Sequence, residues 1–389
     1  MQALWGLAAA SLLAWIGLLV GRGLFWWPLP RLHPPRECSQ PEGAVVAVVP
    51  ARDEAAVLPR TLPTVLSQDY RGPLRVVLVD DRSEDETASV ACAAAEGLGA
   101  KDRLTILRGE PLPAGWSGKV WAMQQGATAA RGELPEFLWF TDADIAHEPW
   151  VLSALVDRAE AERLDLVSTM ATLRVDSAWD RLLVPAFVYF FAKLYPFRFV
   201  GNPRRRNAGA AGGCILVRRS ALERVGGLEA IASALIDDCA LGRLVKRAGG
   251  RIWLGFSRGV RSVRGYGSLV SVWRMVARSA YTQLGHSPLV LAGTIVGMVF
   301  LYALPPLACV GGAVAAAFAV PDAIVLAAFG AATWGLMAAS FVPMLRHHGV
   351  GWWIAPLLPV AGVLYTAMTV SSAWRHTRGR GGAWKGRTY

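Results

Sequence analysis

The chain has 389 residues, enough for one large or two medium domains, but with 53% hydrophobic and only 18% charged residues it is too apolar for an ordinary soluble enzyme. Its formal net charge of +11 suits a protein lying against anionic lipid, where each basic residue near the surface contributes about 1 kcal/mol. A nucleic-acid partner is set aside because no nucleic-acid-binding motif accompanies the charge.

In chain order, residues 3–20 (ALWGLAAASLLAWIGLLV) are uncharged and match the roughly 20 helical residues that a bilayer core requires. No small-residue cleavage site follows, so residues 1–22 are expected to remain as an anchor. From residue 42, short β-branched runs alternate with helical stretches. AVVAVVPA (44–51) reads as a buried strand, EAAVLPRTLPTVLSQ as a Pro-interrupted helix, LRVVLVDD (74–81) as a second strand, and ETASVACAAAEGLG as a helix ended by Gly. LTILRG (104–109) is a third strand, KVWAMQQGATAARG a helix, and EFLWFTDAD (136–144) a fourth strand. This alternation predicts an α/β, Rossmann-like, mostly parallel sheet covered on both faces, with ligands outside the carboxyl ends of its strands.

Polar residues gather at those ends: Arg52, Asp53 and Glu54 after the first strand, Asp80, Asp81, Ser83 and Asp85 after the second, Asp142 and Asp144 after the fourth. Helix capping accounts for Ser83 or Asp85 taken alone. Three acidic clusters at one edge instead call for a cation or hydrogen-bond donors among them, and Mg2+ or Mn2+ suits oxygen ligands completed by phosphates and water. If the backbone stays extended through them, Asp142 and Asp144 share one side, one holding the metal while the other steadies it or grips a sugar hydroxyl. His147 is either a further ligand or a supporting or surface residue. A phosphatase D-x-D signature fits less well, since Ile145 and Ala146 follow where Thr or Val and then Gly are usual.

The segment 182–199 (LLVPAFVYFFAKLYPFRF) is apolar and aromatic, broken by Pro and Lys193, and reads as an interfacial segment or a core helix. PRRR (203–206) reads as a solvated loop or a contact for phosphate groups, of a lipid or of a bound ligand. In GAAGGCILVRR (209–219), Gly212 and Gly213 either permit close approach of a ligand or simply make a turn. LIDDCALGRL (235–244) places Asp237 and Asp238 at a helix start. The uncharged runs 288–320, 323–345 and 352–374 form a C-terminal membrane region over 288–374, followed by a basic tail at 375–389. Arg22, Arg31 and Arg36 after the anchor, and Arg375, Arg378, Arg380, Lys385 and Arg387 after the last run, place both flanks in the cytoplasm. Pro305-Pro306 within 288–320 leave a tilted span, a kinked span and a re-entrant hairpin open; the charge bias favours an even number of later crossings and hence the hairpin, with 346–349 facing out. Five cysteines (Cys38, Cys92, Cys214, Cys239, Cys309) are odd in number and lack metal-ligand spacing, as in a reduced, cytosol-facing domain.

In order, VVPARDEAAVLPRTLPTVLSQDY, VVLVDDRSEDET, GKVWAMQQG, FTDAD, GGCILVRRSALERVGGL and IDDCALGRL resemble the motifs of family 2 glycosyltransferases with the GT-A fold, over about 42–287. The membrane arrangement looks most like the hopene-associated glycosyltransferases, with ceramide glucosyltransferases more distant. The resemblance implies that Pro50, Ala51 and Glu54 line a nucleotide pocket, where Asp53 replaces the usual Asn. It implies that Asp80 or Asp81 meets the uracil edge, that Lys119 lies near the diphosphate (with Gln125 for the usual Asn), and that Asp142 and Asp144 bind the metal. Asp238 becomes the base and Asp237 stands where Glu is commoner. The Q-x-x-R-W motif typical of polymerising relatives is absent from 272–286, although Arg278 remains to assist the donor phosphates.

The expectation is therefore a multi-pass inner (plasma) membrane enzyme with a cytoplasmic GT-A domain that transfers a sugar, with inversion, from a nucleotide-sugar donor such as a UDP-sugar to a lipid acceptor, a hopanoid among them. Polyprenyl-phosphate glycosyl transfer and polysaccharide synthesis are the enzymatic alternatives. A non-catalytic membrane binding or assembly protein with a degenerate domain is the other class, against which Asp142, Asp144 and Asp238 are all present.

Overall fold

The computed structural model describes residues 2–35, 42–379, 381, 383–384 and 387–388; Arg36, Cys38, Arg380 and Lys385, named above, lie outside the described residues. Two compact units are formed. One comprises chiefly Leu29–Arg174 and Phe197–Gly265, the other the residues up to Pro28 with Val175–Pro196 and Tyr266–Gly382.

The first unit is built on an eight-stranded sheet of β1 (Val45–Ala51), β2 (Leu74–Asp80), β3 (Leu104–Arg108), β4 (Phe137–Phe140), β5 (Ile145–His147), β6 (Leu166–Thr172), β7 (Ile215–Arg218) and β8 (Ile252–Ser262). Their order is β3-β2-β1-β4-β7-β6-β8-β5. β1 pairs in parallel with β2 and β4, β2 with β3, and β6 with β8, whereas β7 is antiparallel to β4 and β6, and β5 to β8. Every residue of β1 and β4 is buried, as continuous apolar strands covered on both faces require. The core includes Leu58, Leu62, Leu66, Phe137, Trp139, Leu152 and Leu155, contributed by sheet and helices together.

One expectation fails at the edge that matters. The fourth strand ends at Phe140 rather than running to residue 144, because its antiparallel partner gives out there: Phe140 pairs with Ile215, and the preceding Gly212-Gly213 turn offers no ladder. The chain turns instead, with the Ile145 N–H donating to the Asp142 carbonyl at 3.1 Å. Asp142 and Asp144 therefore do not share a side through strand alternation, and each meets a different partner.

The second unit is helical. The run expected to form a hairpin is one continuous helix, Pro288–Ala317, with a π-helical turn at Val299–Ala303. Proline lacks an N–H, so Pro305 and Pro306 leave carbonyls in the preceding turn without helical donors. The N-terminal helix Gln2–Gly21 supplies donors there: Trp15 Nε1 to Leu301 O at 2.8 Å and Ser11 Oγ to Phe300 O at 2.9 Å. Both prolines are thus absorbed without a break.

Contacts fix the direction of the remaining helices. A side chain on Gly330 would strike the Cys309 backbone, which sets Ala323–His347 antiparallel to Leu304–Ala317. Gly362 packs on Tyr302, and the ring of His376 stacks on that of His286 at 4.2 Å, so Leu358–Thr377 is antiparallel to Pro288–Met298 as well. Ala323–His347 and Leu358–Thr377 consequently run the same way, and residues 348–357 carry the chain back between them, with Trp334 Nε1 donating to Pro356 O at 2.9 Å. The 182–199 stretch begins with the helix Ala178–Leu194, whose N-terminus is closed by a Ser177/Asp180 capping box. Tyr189 of that helix shares a 2.7 Å hydrogen bond with Ser340, and Tyr365 donates to Leu183 O at 2.9 Å.

Candidate active site

The site is assembled where β1, β2 and β4 end and the helix Asp237–Arg247 begins. Ser117 makes the first connection: its N–H donates to Ala232 O at 2.8 Å and its Oγ to Ala234 O at 3.0 Å. This ties the start of the helix Gly118–Ala129 to the loop that leads into Asp237–Arg247. Lys119, on the first turn, then lies with Nζ 2.7 Å from Asp142 Oδ1 and 3.3 Å from Asp237 Oδ2. Asp238 accepts from the Gly212 N–H at 2.8 Å through Oδ2 and from the Cys239 N–H at 2.7 Å through Oδ1.

The electrostatics follow from burial. Burial works against the charged form of Lys119, but Asp142 and then Asp237 outweigh it and hold the ammonium charged. Burial pushes Asp142 above the usual carboxylate range despite Lys119. Burial, and then the neighbouring Asp237, push Asp238 up to about 6 against Lys119 and the two backbone N–H groups. Gly212 is needed for space, since a Cβ there would lie 3.0 Å from Lys119 Nζ and 3.4 Å from Asp238 Oδ2. Gly213 is turned away: its carbonyl accepts from Thr141 Oγ1 at 3.0 Å and a Cβ there would meet Ile145 at 3.3 Å.

A second cation, not identified from the sequence, serves the other carboxylates. Arg264, just beyond β8, pairs through Nη2 with Glu54 and places Nε 3.3 Å from Asp144 Oδ2. The Val263 N–H donating to Asp144 O at 2.9 Å holds the two segments together. The only sequence signal was indirect, in that clustered acidic strand ends need counter-charges.

At the ends of β1 and β2, Pro50 and Ala51 complete the strand, and Ala51 O accepts the Asp81 N–H at 2.8 Å. Asp81 is fully buried with its Oδ2 3.7 Å from Arg52 Nη1, while Asp80 Oδ1 accepts the Ser83 N–H at 2.9 Å. Ser83 and Asp85 hold the β1 loop, accepting the N–H groups of Asp53 at 2.9 Å and Ala55 at 3.1 Å; Asp85 also accepts the Thr87 N–H at 3.1 Å at a helix start. Gln125 ties the next loop by accepting the Glu110 N–H at 2.8 Å.

His147 is buried, shares a 2.8 Å hydrogen bond with Thr141 Oγ1, and packs edge-on against Trp139. Burial drives its pKa down to about 3, so it stays neutral and supports the turn from below. Arg278 is exposed on the helix Leu269–Gln283 of the helical unit.

A divalent cation fits this donor set only with help. Among the described residues no three His, Cys, Asp or Glu side chains converge closely enough to hold a metal by themselves. Asp142 and Asp144 nonetheless offer carboxylate oxygens on one turn, and Asp237 Oδ2 is buried without a hydrogen-bond donor. That suits a hard cation whose shell is completed by phosphate and water oxygens.

Residues 41–282 match the family model described as "Glycosyltransferase like family 2". An undecaprenyl-phosphate 4-deoxy-4-formamido-L-arabinose transferase of Pseudomonas aeruginosa (strain LESB58) is 32% identical over 190 residues, 47% of this chain and 49% of the relative. The same enzyme of Pseudomonas paraeruginosa (strain DSM 24068 / PA7) matches with the same identity and coverage. The chain thus spans about half the length of these curated relatives. Among solved structures, mannosyltransferase PcManGT from Pyrobaculum calidifontis, in complex with GDP-Man and Mn2+, aligns with a TM-score of 0.52 at 20% identity, covering 96% of this chain and 99% of that one. That likeness is one of fold, the α/β GT-A fold with its mostly parallel sheet. With the family match spanning more than half of its 389 residues, the chain belongs to the family 2 glycosyltransferases.

Proposed function

We propose that the protein is a membrane-bound, inverting glycosyltransferase that moves a sugar from a nucleoside diphosphate, a UDP-sugar, to the hydroxyl of a lipid acceptor, with hopanoids as one candidate class. The observation that carries this reading is the joining of Asp142, Lys119, Asp237 and Asp238 at one strand edge. In a direct displacement the acceptor hydroxyl must lose its proton as it attacks, and Asp238 is the carboxylate placed to take it. Its two oxygens each accept one N–H, which leaves lone pairs for the incoming hydroxyl. Pro50, Ala51, Glu54 and the carboxylates Asp80 and Asp81 border the nucleotide side, and Lys119 supplies positive charge beside the diphosphate. Asp142 and Asp144 would hold a Mg2+ or Mn2+, which when bound neutralises charge on the departing diphosphate. No side chain need bond to the sugar, so the anomeric centre inverts.

A second acceptor, polyprenyl phosphate, is favoured by the names of the curated relatives. Chemistry separates the two, because a phosphate is already ionised at neutral pH and needs no base, whereas a lipid alcohol does. The test is incubation of detergent-purified protein with UDP- and GDP-sugars and either hopanoid alcohols or polyprenyl phosphate, with and without chelator. Transfer to polyprenyl phosphate that is indifferent to Asp238→Asn would overturn the hydroxyl reading, and turnover surviving chelation would remove the metal.

The same reading places the protein in the inner membrane. Among the described residues five helices are long and apolar enough to cross, and Leu289, Phe318 and Ile324 are 84%, 79% and 72% exposed. Ala178–Val200 does not make a single crossing, because β1 to β6 before it and β7 and β8 after it lie in one sheet. Pro288–Ala317 and Ala323–His347 make two crossings, and 348–377 leaves and returns on the same face. Arg22, Arg31, Arg346, Arg375 and Arg378 then all face the cytoplasm with the catalytic unit. On this reading the number of crossings after the catalytic unit is even, as the basic flanks favour, with 348–377 as the returning segment and 346–349 facing in.

A further inference from the structure

Lys246 is held unusually. Its Nζ lies 2.5 Å from Val200 O, 2.7 Å from Asn207 O, 3.0 Å from Asn202 O and 3.3 Å from Phe199 O, so one ammonium gathers the carbonyls on both sides of the loop 201–207. Asn202 tightens the same loop by accepting the Arg204 N–H at 2.9 Å. With the carbonyls turned inward, Arg204, Arg205 and Arg206 are exposed, as are Arg198 beside them and Arg243 and Arg247 on the helix Asp237–Arg247. Among the described residues none of these arginines makes an ion pair with a carboxylate. An ordinary solvated loop needs no such internal clamp.

From this loop the chain runs as a strap along the helix to the site. Asn207 is bound at Lys246, Gly242 abuts Gly209 so closely that a Cβ would lie 3.0 Å from its carbonyl carbon, Cys239 Sγ reaches Ala210 O at 3.5 Å, and Gly212 N–H meets Asp238 at 2.8 Å. The two ends of the strap are therefore separated by about 12 Å of helix, at 1.5 Å per residue. The loop arginines thus sit at the end of the strap away from Asp238, and the loop is a surface distinct from the reacting centre.

We propose that the loop 201–207, with Arg198, Arg243 and Arg247, is a docking surface for the anionic phospholipid headgroups of the bilayer, and that the strap fixes the distance from that surface to Asp237 and Asp238. The loop begins within ten residues of Leu194, the end of an apolar helix, and an anionic leaflet complements its charge. This rests on the membrane-bound reading above.

The test is hydrogen exchange of the full chain in nanodiscs of phosphatidylcholine alone or mixed with phosphatidylglycerol, read on peptides covering 201–207. Exchange there should slow by about fivefold or more in the anionic discs, with the difference lost at high salt. Arg204→Gln/Arg205→Gln/Arg206→Gln should exchange equally in both. Equal exchange of the wild-type loop in the two lipids, with Pro288–Ala317 protected in both, would overturn the proposal even if the triple variant failed to reconstitute. No substrate is present, so loss of the transferase reading would leave this outcome unaffected.

Discussion

Asp238 carries the sharpest consequence at the scale of single residues. Burial and Asp237 raise its pKa to about 6, and a base works only when deprotonated, so kcat/KM is expected to fall as pH drops through about 6 and to level off above it. Asp238→Asn should lower turnover by roughly 10²–10⁴-fold and abolish that limb, while calorimetric UDP binding stays within a few fold. An unchanged limb in the variant would assign the titration elsewhere. Arg264 leads to a different measurement. Its guanidinium occupies Asp144 and Glu54, so it competes with any dication for Asp144. Arg264→Gln should tighten Mn2+ binding to donor-free protein on the order of tenfold, followed by loss of the free Mn2+ EPR signal; weaker binding would mean that Arg264 instead helps to shape the metal site. The acidic members of this cluster and Lys119 were legible, because each follows a recognisable strand or opens a helix. Their partners were not: Arg264 is 210 residues from Glu54, and only the closed sheet brings them together.

At the level of elements, the strands read from β-branched runs exist, but one, β4, reaches less far than local pattern implies. β4 is cut short by the end of β7, an antiparallel strand inserted between β4 and β6, and no periodicity within 136–144 could reveal that neighbour. The proline pair misled in the opposite direction. Pro305-Pro306 normally marks a break, but the donors that remove the penalty sit on Ser11 and Trp15, 289 and 286 residues from their acceptors. Trp15→Phe keeps the aromatic packing against Tyr302 and deletes only the indole N–H. It should destabilise the helical unit by roughly 0.6–1.7 kcal/mol, the range for hydrogen bonds between membrane helices, read as a lower unfolding midpoint in detergent. No shift would show that the π-helical turn satisfies those carbonyls unaided.

For the whole molecule, composition and basic flanks were sufficient to demand an even number of crossings after the catalytic unit, because positive charge biases flanks to the cytoplasm regardless of how the helices pack. Which segment turns back was not legible, since 288–320 and 352–374 are both long, uncharged and Pro-containing. Packing supports 348–377 as that segment: His376 stacked on His286 returns the end of the last helix to the level where Pro288–Ala317 starts. The two arrangements differ most at residues 346–349. In a background lacking the native cysteines, a single cysteine at Ala319, in the turn between Pro288–Ala317 and Ala323–His347, should react with a membrane-impermeant maleimide added to intact cells. A cysteine at His348 should react only after the membrane is permeabilised, and a fluorescent protein fused after Tyr389 should fluoresce as a cytoplasmic one does. Labelling of His348→Cys from outside, with the tail still cytoplasmic, would restore the hairpin within 288–320 and reverse the direction assigned here to Leu358–Thr377.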